Sequence, residues 1–167
     1  MKKKDELKLV KIDSEYCDFL RTFDSKVPYN FNKKANRPFV GVLFEVNECK
    51  YFAPLTSPKP KHRKMKNTID FLRLKNGTLG AINFNNMIPV KMKHVDFIDL
   101  EAKCHNKSEE RYQKLLREQI YWLNRHDHNL YSRARKLYYG YINKTLSKSI
   151  SERCCDFLLL EEKCDEY

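Results

Sequence analysis

Two adjacent hydroxyls, Thr56 and Ser57, stand between Pro54 and Pro58, and Lys59 follows directly. Each proline fixes φ and lacks a backbone donor, so Leu55 to Ser57 reads as a stiff, largely non-helical segment at the end of a strand. Hydroxyls held there can donate to a phosphate, and Lys59 adds a positive charge two residues on. The set suits a scissile phosphodiester, on which negative charge develops as an internal 2′-hydroxyl attacks. The plainer alternative is a proline-bounded turn leading into a solvated basic loop. Beyond it Lys61, His62, Arg63, Lys64 and Lys66 continue the run with no acidic residue among them.

Cleaving RNA in this way requires removal of the 2′-proton, stabilisation of the phosphorane and protonation of the leaving 5′-oxygen. Lys59 and Arg37 are candidates for phosphate and transition-state stabilisation, with Thr56 and Ser57 positioning the phosphate or relaying a proton. Arginine stays protonated, which argues against Arg37 as proton donor or base. His62 titrates near neutrality, but in so basic a loop a solvated or RNA-stacking role is favoured over that of main base. Lys33, Lys34, Lys61, Arg63, Lys64 and Lys66 can track phosphates, while Tyr29, Phe31 and Tyr51 can stack on unpaired bases. The six cysteines include no Cys-x-x-Cys pair and no compact set of partners at metal-ligand spacing. They read as small buried thiols in a reducing compartment, and neither a metal nor a cofactor is expected.

The elements that must hold these residues follow from length and pattern. A chain of 167 residues is a one-domain length, so residues 1–167 are expected to form a single domain with a core that needs no disulfides. Lys and Arg total 33 against 22 Asp and Glu, and a net charge of +11 attracts polyanions without distinguishing RNA from DNA, acidic protein or anionic lipid. The charged opening Met1 to Glu6 is not followed by an apolar run, so no signal peptide or membrane span is visible and a cytoplasmic protein is expected.

Leu7 to Ile12 alternates as a half-buried strand, and Ser14 then reads as the cap of a helix with Tyr16, Phe19, Leu20 and Phe23 on one face. Tyr29 to Asn36 reads as loop. Phe39 to Val46 and Lys50 to Pro54 form a hairpin, which places Arg37 and the Thr56-Ser57 segment at the same open end. A short helix is compatible with Lys59 to Lys66. Thr68 to Leu74 and Thr78 to Phe84 suggest a second hairpin around Asn76-Gly77, and Met87 to Lys93 an edge or bulged strand with Pro89. From Ser108 the period becomes helical, with a stripe of Tyr112, Leu115, Leu116, Ile120 and Leu123. A second helix capped by Asp127 carries Leu130, Ala134, Leu137, Tyr138 and Tyr141, and after a Ser/Lys/Thr linker a last helix begins near Asp156. The expected architecture is α+β, a twisted antiparallel sheet with an early helix and C-terminal helices packed around it.

Phe52-Ala53-Pro54-Leu55-Thr56-Ser57-Pro58-Lys59 resembles the signature block of the ToxN/AbiQ toxins, the protein halves of type III toxin-antitoxin systems. Phe23 to Pro28, Arg37 to Val42, Ile82 to Pro89 and Asp156 to Lys163 resemble further blocks of that family in the same order, so the likeness covers nearly the full length. It implies a fold related to the MazF/Kid toxins, with Thr56, Ser57 and Lys59 as active-site residues. Arg37 would be the basic residue before the "FVG" strand, where some relatives have lysine, and both Tyr29 and Phe31 stand as candidates for an aromatic upstream of it. The resemblance further implies a metal-independent, sequence-specific endoribonuclease that cuts mRNA and its own repetitive antitoxin precursor, leaving a 2′,3′-cyclic phosphate and a 5′-hydroxyl. A small pseudoknot RNA would inhibit it within a closed protein-RNA hetero-oligomer, away from any membrane, in a system that arrests growth or aborts phage infection. The rivals are a non-catalytic RNA-binding module of the same fold and a DNA-binding regulator, the latter without a helix-turn-helix or basic-zipper pattern to support it.

Overall fold

Eight residues from Cys49 to Thr56 form β4, the strand on which the sheet is built, and only its Lys50 and Thr56 escape full burial. The computed structural model describes residues 6–29, 37–125 and 129–167. Around β4 run β1 (Lys8–Ile12), β2 (Phe39–Gly41), β3 (Glu45–Val46), β5 (Phe71–Arg73), β6 (Ala81–Asn83), β7 (Ile88–Val90) and β8 (Val95–Phe97). The antiparallel path is β5-β6-β4-β2-β1-β8, with β3 and β7 also paired to β4.

β4 changes partners half-way. Its first half pairs with β3 and β7, Tyr51 facing Pro89 and Phe52 facing Ile88. Its second half pairs with β2 and β6, Phe39 facing Pro54 and Leu55 facing Ile82. The strand therefore runs through Pro54 to Thr56 instead of ending at the proline. Across β2 the ladder bond comes from Leu55 N–H to Pro38 O at 2.9 Å, which turns the donor-less nitrogen of Pro54 toward the opposite edge. There it falls in the gap between the last residue paired to β7 and the first paired to β6, where no donor is needed.

The strand expected over Phe39 to Val46 is split. Phe39 faces Pro54 but Glu45 faces Lys50, so the first strand carries extra residues over Val42 to Phe44 and bulges there. The second hairpin forms as anticipated, though shorter, as β5 and β6 joined through a 3-10 turn at Lys75–Gly77. Strand β8, whose three residues are all at least partly exposed, shows too little patterning to be read from sequence, yet it pairs with β1 and closes that flank.

The helices are α1 (Ser14–Arg21), α2 (Lys107–Arg125), α3 (Leu130–Ile142), α4 (Lys148–Arg153) and α5 (Phe157–Glu166). The cap of α1 is Asp13, one residue earlier than expected, its carboxylate accepting from Glu15 N–H at 3.1 Å. Asp156 caps α5 by accepting from Leu159 N–H at 3.2 Å. The stretch read as a linker folds its second part into α4, capped by Ser147, and the anticipated cap Asp127 lies outside the described residues. Tyr16 and Leu20 of α1, Leu116 and Leu123 of α2, Leu137 of α3 and Phe157 and Leu160 of α5 join Phe39, Phe52, Ile82 and Ile88 of the sheet in one core. Five of the six cysteines are buried, all as free thiols. Among the described residues no helix is long and apolar enough to cross a membrane.

Candidate active site

The second half of β4 carries the chain out of the sheet and into the hydroxyl pair. Thr56 is its last residue, facing Ala81 of β6, and its Oγ1 donates to the Ala81 carbonyl at 3.3 Å. Ser57 and Lys59, immediately beyond, are exposed. The backbone here is gripped closely: Gly80 has a φ of +99°, and a Cβ at that position would lie 1.9 Å from the Thr56 carbonyl oxygen. Only glycine permits that approach.

Arg37 enters from the neighbouring strand. The bond between Leu55 and Pro38 leaves Arg37 at the position opposite Thr56, at the open end shared by β2 and β4. This juxtaposition is the one expected from the hairpin. Arg37 is half-buried, its Nε is buried without a hydrogen-bond partner among the described residues, and burial lowers its pKa below the ordinary arginine value. Tyr112 of α2 is close enough to feel that charge. Burial raises the Tyr112 phenol while the Arg37 guanidinium pulls it down, and burial prevails. Tyr112 keeps 39% of its surface exposed.

A second contact from α2 reaches the turn directly. Gln119 is 1% exposed, and its Nε2 donates to the carbonyl of Leu79 at 2.7 Å and to that of Thr56 at 3.5 Å. Neither Tyr112 nor Gln119 stands out in the sequence as a candidate site residue. Both were hidden in the apolar stripe of α2, where a glutamine three residues after Leu116 and four before Leu123 is the signal that was available.

His62 organises the segment after the turn. Lys59 N–H donates to His62 Nδ1 at 3.1 Å and His62 N–H returns to the Lys59 carbonyl at 2.9 Å, closing a small ring around the 3-10 turn Pro60–Arg63. The ring nitrogen must be unprotonated to accept. Burial, aided by the charges of Lys61 and Lys59, lowers the His62 pKa below its ordinary value, consistent with that neutral state. Gly77, at φ +88°, backs against the His62 carbonyl, where a Cβ would come within 2.6 Å. His62 is thus a buried brace, 2% exposed, and the expectation that it stacks on RNA is corrected. Tyr51 is corrected likewise: it is 0% exposed, stacked on Phe44 with centroids 4.4 Å apart, and its hydroxyl donates to Glu161 at 2.6 Å. An apolar strand centre keeps its aromatic for the core.

The remaining phosphate-tracking candidates of the loop, Lys61, Arg63, Lys64 and Lys66, are all exposed. The loop is tied down where it returns, by Arg73 donating to the Arg63 carbonyl at 3.0 Å and Arg133 of α3 donating to the Thr68 carbonyl at 2.8 Å. Tyr29 is exposed, with the Arg21 guanidinium over its ring at 4.6 Å. Phe31, Lys33 and Lys34 lie outside the described residues.

The model of the toxin ToxN family of type III toxin-antitoxin systems matches residues 8–165. The chain belongs to this family. Over 171 residues it is 34% identical to the endoribonuclease ToxN of Bacillus thuringiensis subsp. kurstaki, covering 100% of this chain and 87% of the relative. It is 30% identical to the endoribonuclease ToxN of Pectobacterium atrosepticum, over 96% of this chain and 94% of that one. Among solved structures, one describing selective toxin inhibition by a non-coding RNA pseudoknot superposes with a TM-score of 0.80 at 34% identity, covering 98% of each chain. That of AbiQ, a lactococcal anti-phage endoribonuclease of the type III class, superposes with a TM-score of 0.82 at 25% identity, again over 98% of both. In this ToxN-family chain the block from Phe52 to Lys59 is therefore the end of the central strand and the exposed turn beyond it.

Proposed function

We propose that the whole chain is one endoribonuclease toxin domain, acting in the cytoplasm on single-stranded RNA through the turn Thr56-Ser57-Lys59. The observation that carries the reading is the pairing of an exposed hydroxyl and ammonium, Ser57 and Lys59, with Arg37 held opposite Thr56 at the same end of the sheet. A phosphodiester laid across that end meets cations from both strands and a hydroxyl at the turn. The 2′-oxygen attacks phosphorus as the bond to the 5′-oxygen breaks, and the proton lost from the 2′-hydroxyl is balanced by one gained at the 5′-oxygen. Products are a 2′,3′-cyclic phosphate and a 5′-hydroxyl. Arg37 and Lys59 stabilise the charge that grows on the non-bridging oxygens, and each such donor aimed at a developing charge contributes about 10²- to 10³-fold in rate. No step calls on a metal ion. Tyr29 and the cations Lys61, Arg63, Lys64 and Lys66 hold the flanking nucleotides.

Membership of the family supports a small pseudoknot RNA as inhibitor, cut by this chain from a repetitive precursor and held with it in a closed assembly. It supports mRNA as the toxic target, with growth arrest or abortive phage infection as outcome. The kinship with MazF/Kid toxins belongs to the same reading and is tested by superposing the path β5-β6-β4-β2-β1 on one of them. The decisive experiment incubates purified, RNA-free protein with mixed-sequence RNA in excess EDTA, beside RNA bearing 2′-deoxy nucleotides at the mapped cuts. Cleavage that survives EDTA and stops at the deoxy positions is expected. Folded protein that binds RNA and never cuts it would make the chain a binding module.

A further inference from the structure

A glutamine inside an apolar helix face needs a reason. Gln119 stands between Leu116 and Leu123 on the buried side of α2, is 1% exposed, and leaves its Oε1 buried without a partner among the described residues. Methionine or leucine would fill such a position without an orphaned acceptor. What only the amide supplies is its donor group, and both of its acceptors belong to the backbone that builds the turn: Leu79 O at 2.7 Å, next to Gly80, and Thr56 O at 3.5 Å. Gly80 closes on the same Thr56 carbonyl, near enough that no Cβ fits.

We infer that Gln119 is a positioning residue for RNA cleavage: its amide, with Gly80, fixes the plane of the Thr56–Ser57 peptide and so the direction in which Ser57 and Lys59 face the phosphate. The inference rests on the nuclease reading above. The Thr56 carbonyl and the Ser57 nitrogen share one rigid peptide plane, so holding the oxygen sets the course of the chain into Ser57. Ser57 itself is exposed, and the peptide before it is where the sheet sets its course. Gln119 bonds to the backbone of Leu79 and Thr56 and to no side chain of the basic loop, so its removal is expected to act chiefly on kcat.

The test compares full-length wild type with Gln119→Met, which keeps length and burial and removes the donors. Expected are a drop in kcat of about 10- to 100-fold, the size of a small misplacement of reacting groups, an unchanged KM, and faster hydrogen exchange over residues 56–62 with α2 still protected. Gln119→Glu recovers activity relative to wild type as the pH is lowered, because only the protonated carboxyl donates and burial brings its protonation within reach. A wild-type kcat in Gln119→Met, or loss accompanied by exchange spreading along α2, overturns the inference. Failure of the nuclease reading looks different: wild type is then as inactive as Ser57→Ala, and exchange over residues 56–62 still reports whether Gln119 holds the turn.

Discussion

At the level of single residues, exposure separates the groups that can meet RNA from those that hold them. Ser57 and Lys59 face solvent and carry no core packing, so Ser57→Ala and Lys59→Ala are expected to reduce RNA cleavage by at least about 10²-fold, while thermal melting stays within a degree or two of wild type. His62 is the opposite case. Its folded-state pKa lies below the ordinary 6.5, so below that pH the unfolded chain binds the extra proton and stability falls with it. The contribution is complete above about pH 6.5 and is lost as the pH drops through the folded value. His62→Asn keeps an acceptor for the Lys59 amide but does not titrate. Its melting temperature should therefore fall less than that of wild type between about pH 7.5 and 5. His94 is also depressed, chiefly by burial, but contributes equally to both proteins and drops out of the comparison. Equal slopes would remove His62 as the brace.

Elements are joined at a few polar points, of which the tie between α4 and the approach to β5 is the most consequential. Asp70 is 1% exposed and accepts from Arg153 Nε at 2.9 Å, Arg153 Nη2 at 3.1 Å and Thr68 Oγ1 at 2.8 Å. Burial pushes its carboxyl up, yet the bonds from Arg153 and Thr68 together with the Arg153 charge bring the balance below the usual value. Arg153→Ala leaves that carboxylate buried and partly unpaired. The cost should be about 2 kcal/mol, under the ~3–5 kcal/mol of a fully buried pair because the Arg153 side chain is 48% exposed. Urea unfolding measures it, and the loss should shrink toward acid pH as Asp70 protonates. The same tie fixes α4 against the rest of the fold: Ser147 caps the helix locally, and the bond that anchors it is long-range.

Over the whole molecule, the excess of positive charge becomes useful where structure gathers it. Lys61, Arg63, Lys64 and Lys66 lie exposed on one loop held by Arg73 and Arg133. Each phosphate neutralised on a single strand adds about 0.7 to the slope of log affinity against log salt. Exchanging all four cations for glutamine should therefore lower that slope by roughly 3, measured with an uncleavable 2′-deoxy RNA. A slope unchanged by the exchange would mean that the RNA follows another face.

Local physics was enough for much of this protein. The extended, non-helical course of Leu55 to Ser57, the helical stripes of α2 and α3, the Asn-Gly hairpin and the Asp156 cap depend on neighbours a few residues away, and they are legible as such. So is the meeting of Arg37 with Thr56, because an antiparallel pair brings both to one end. Tertiary structure alone decided the rest. Burial is a property of three dimensions, and it turned His62 and Tyr51 from presumed RNA contacts into a brace and a core ring. The partner change along β4 gave Pro54 a place inside a strand, β8 joins the sheet by pairing with β1, and Asp70 anchors α4. The path from Gln119 through Leu79 to Thr56 joins segments distant in the chain, and only the folded backbone brings that amide to the carbonyl it holds.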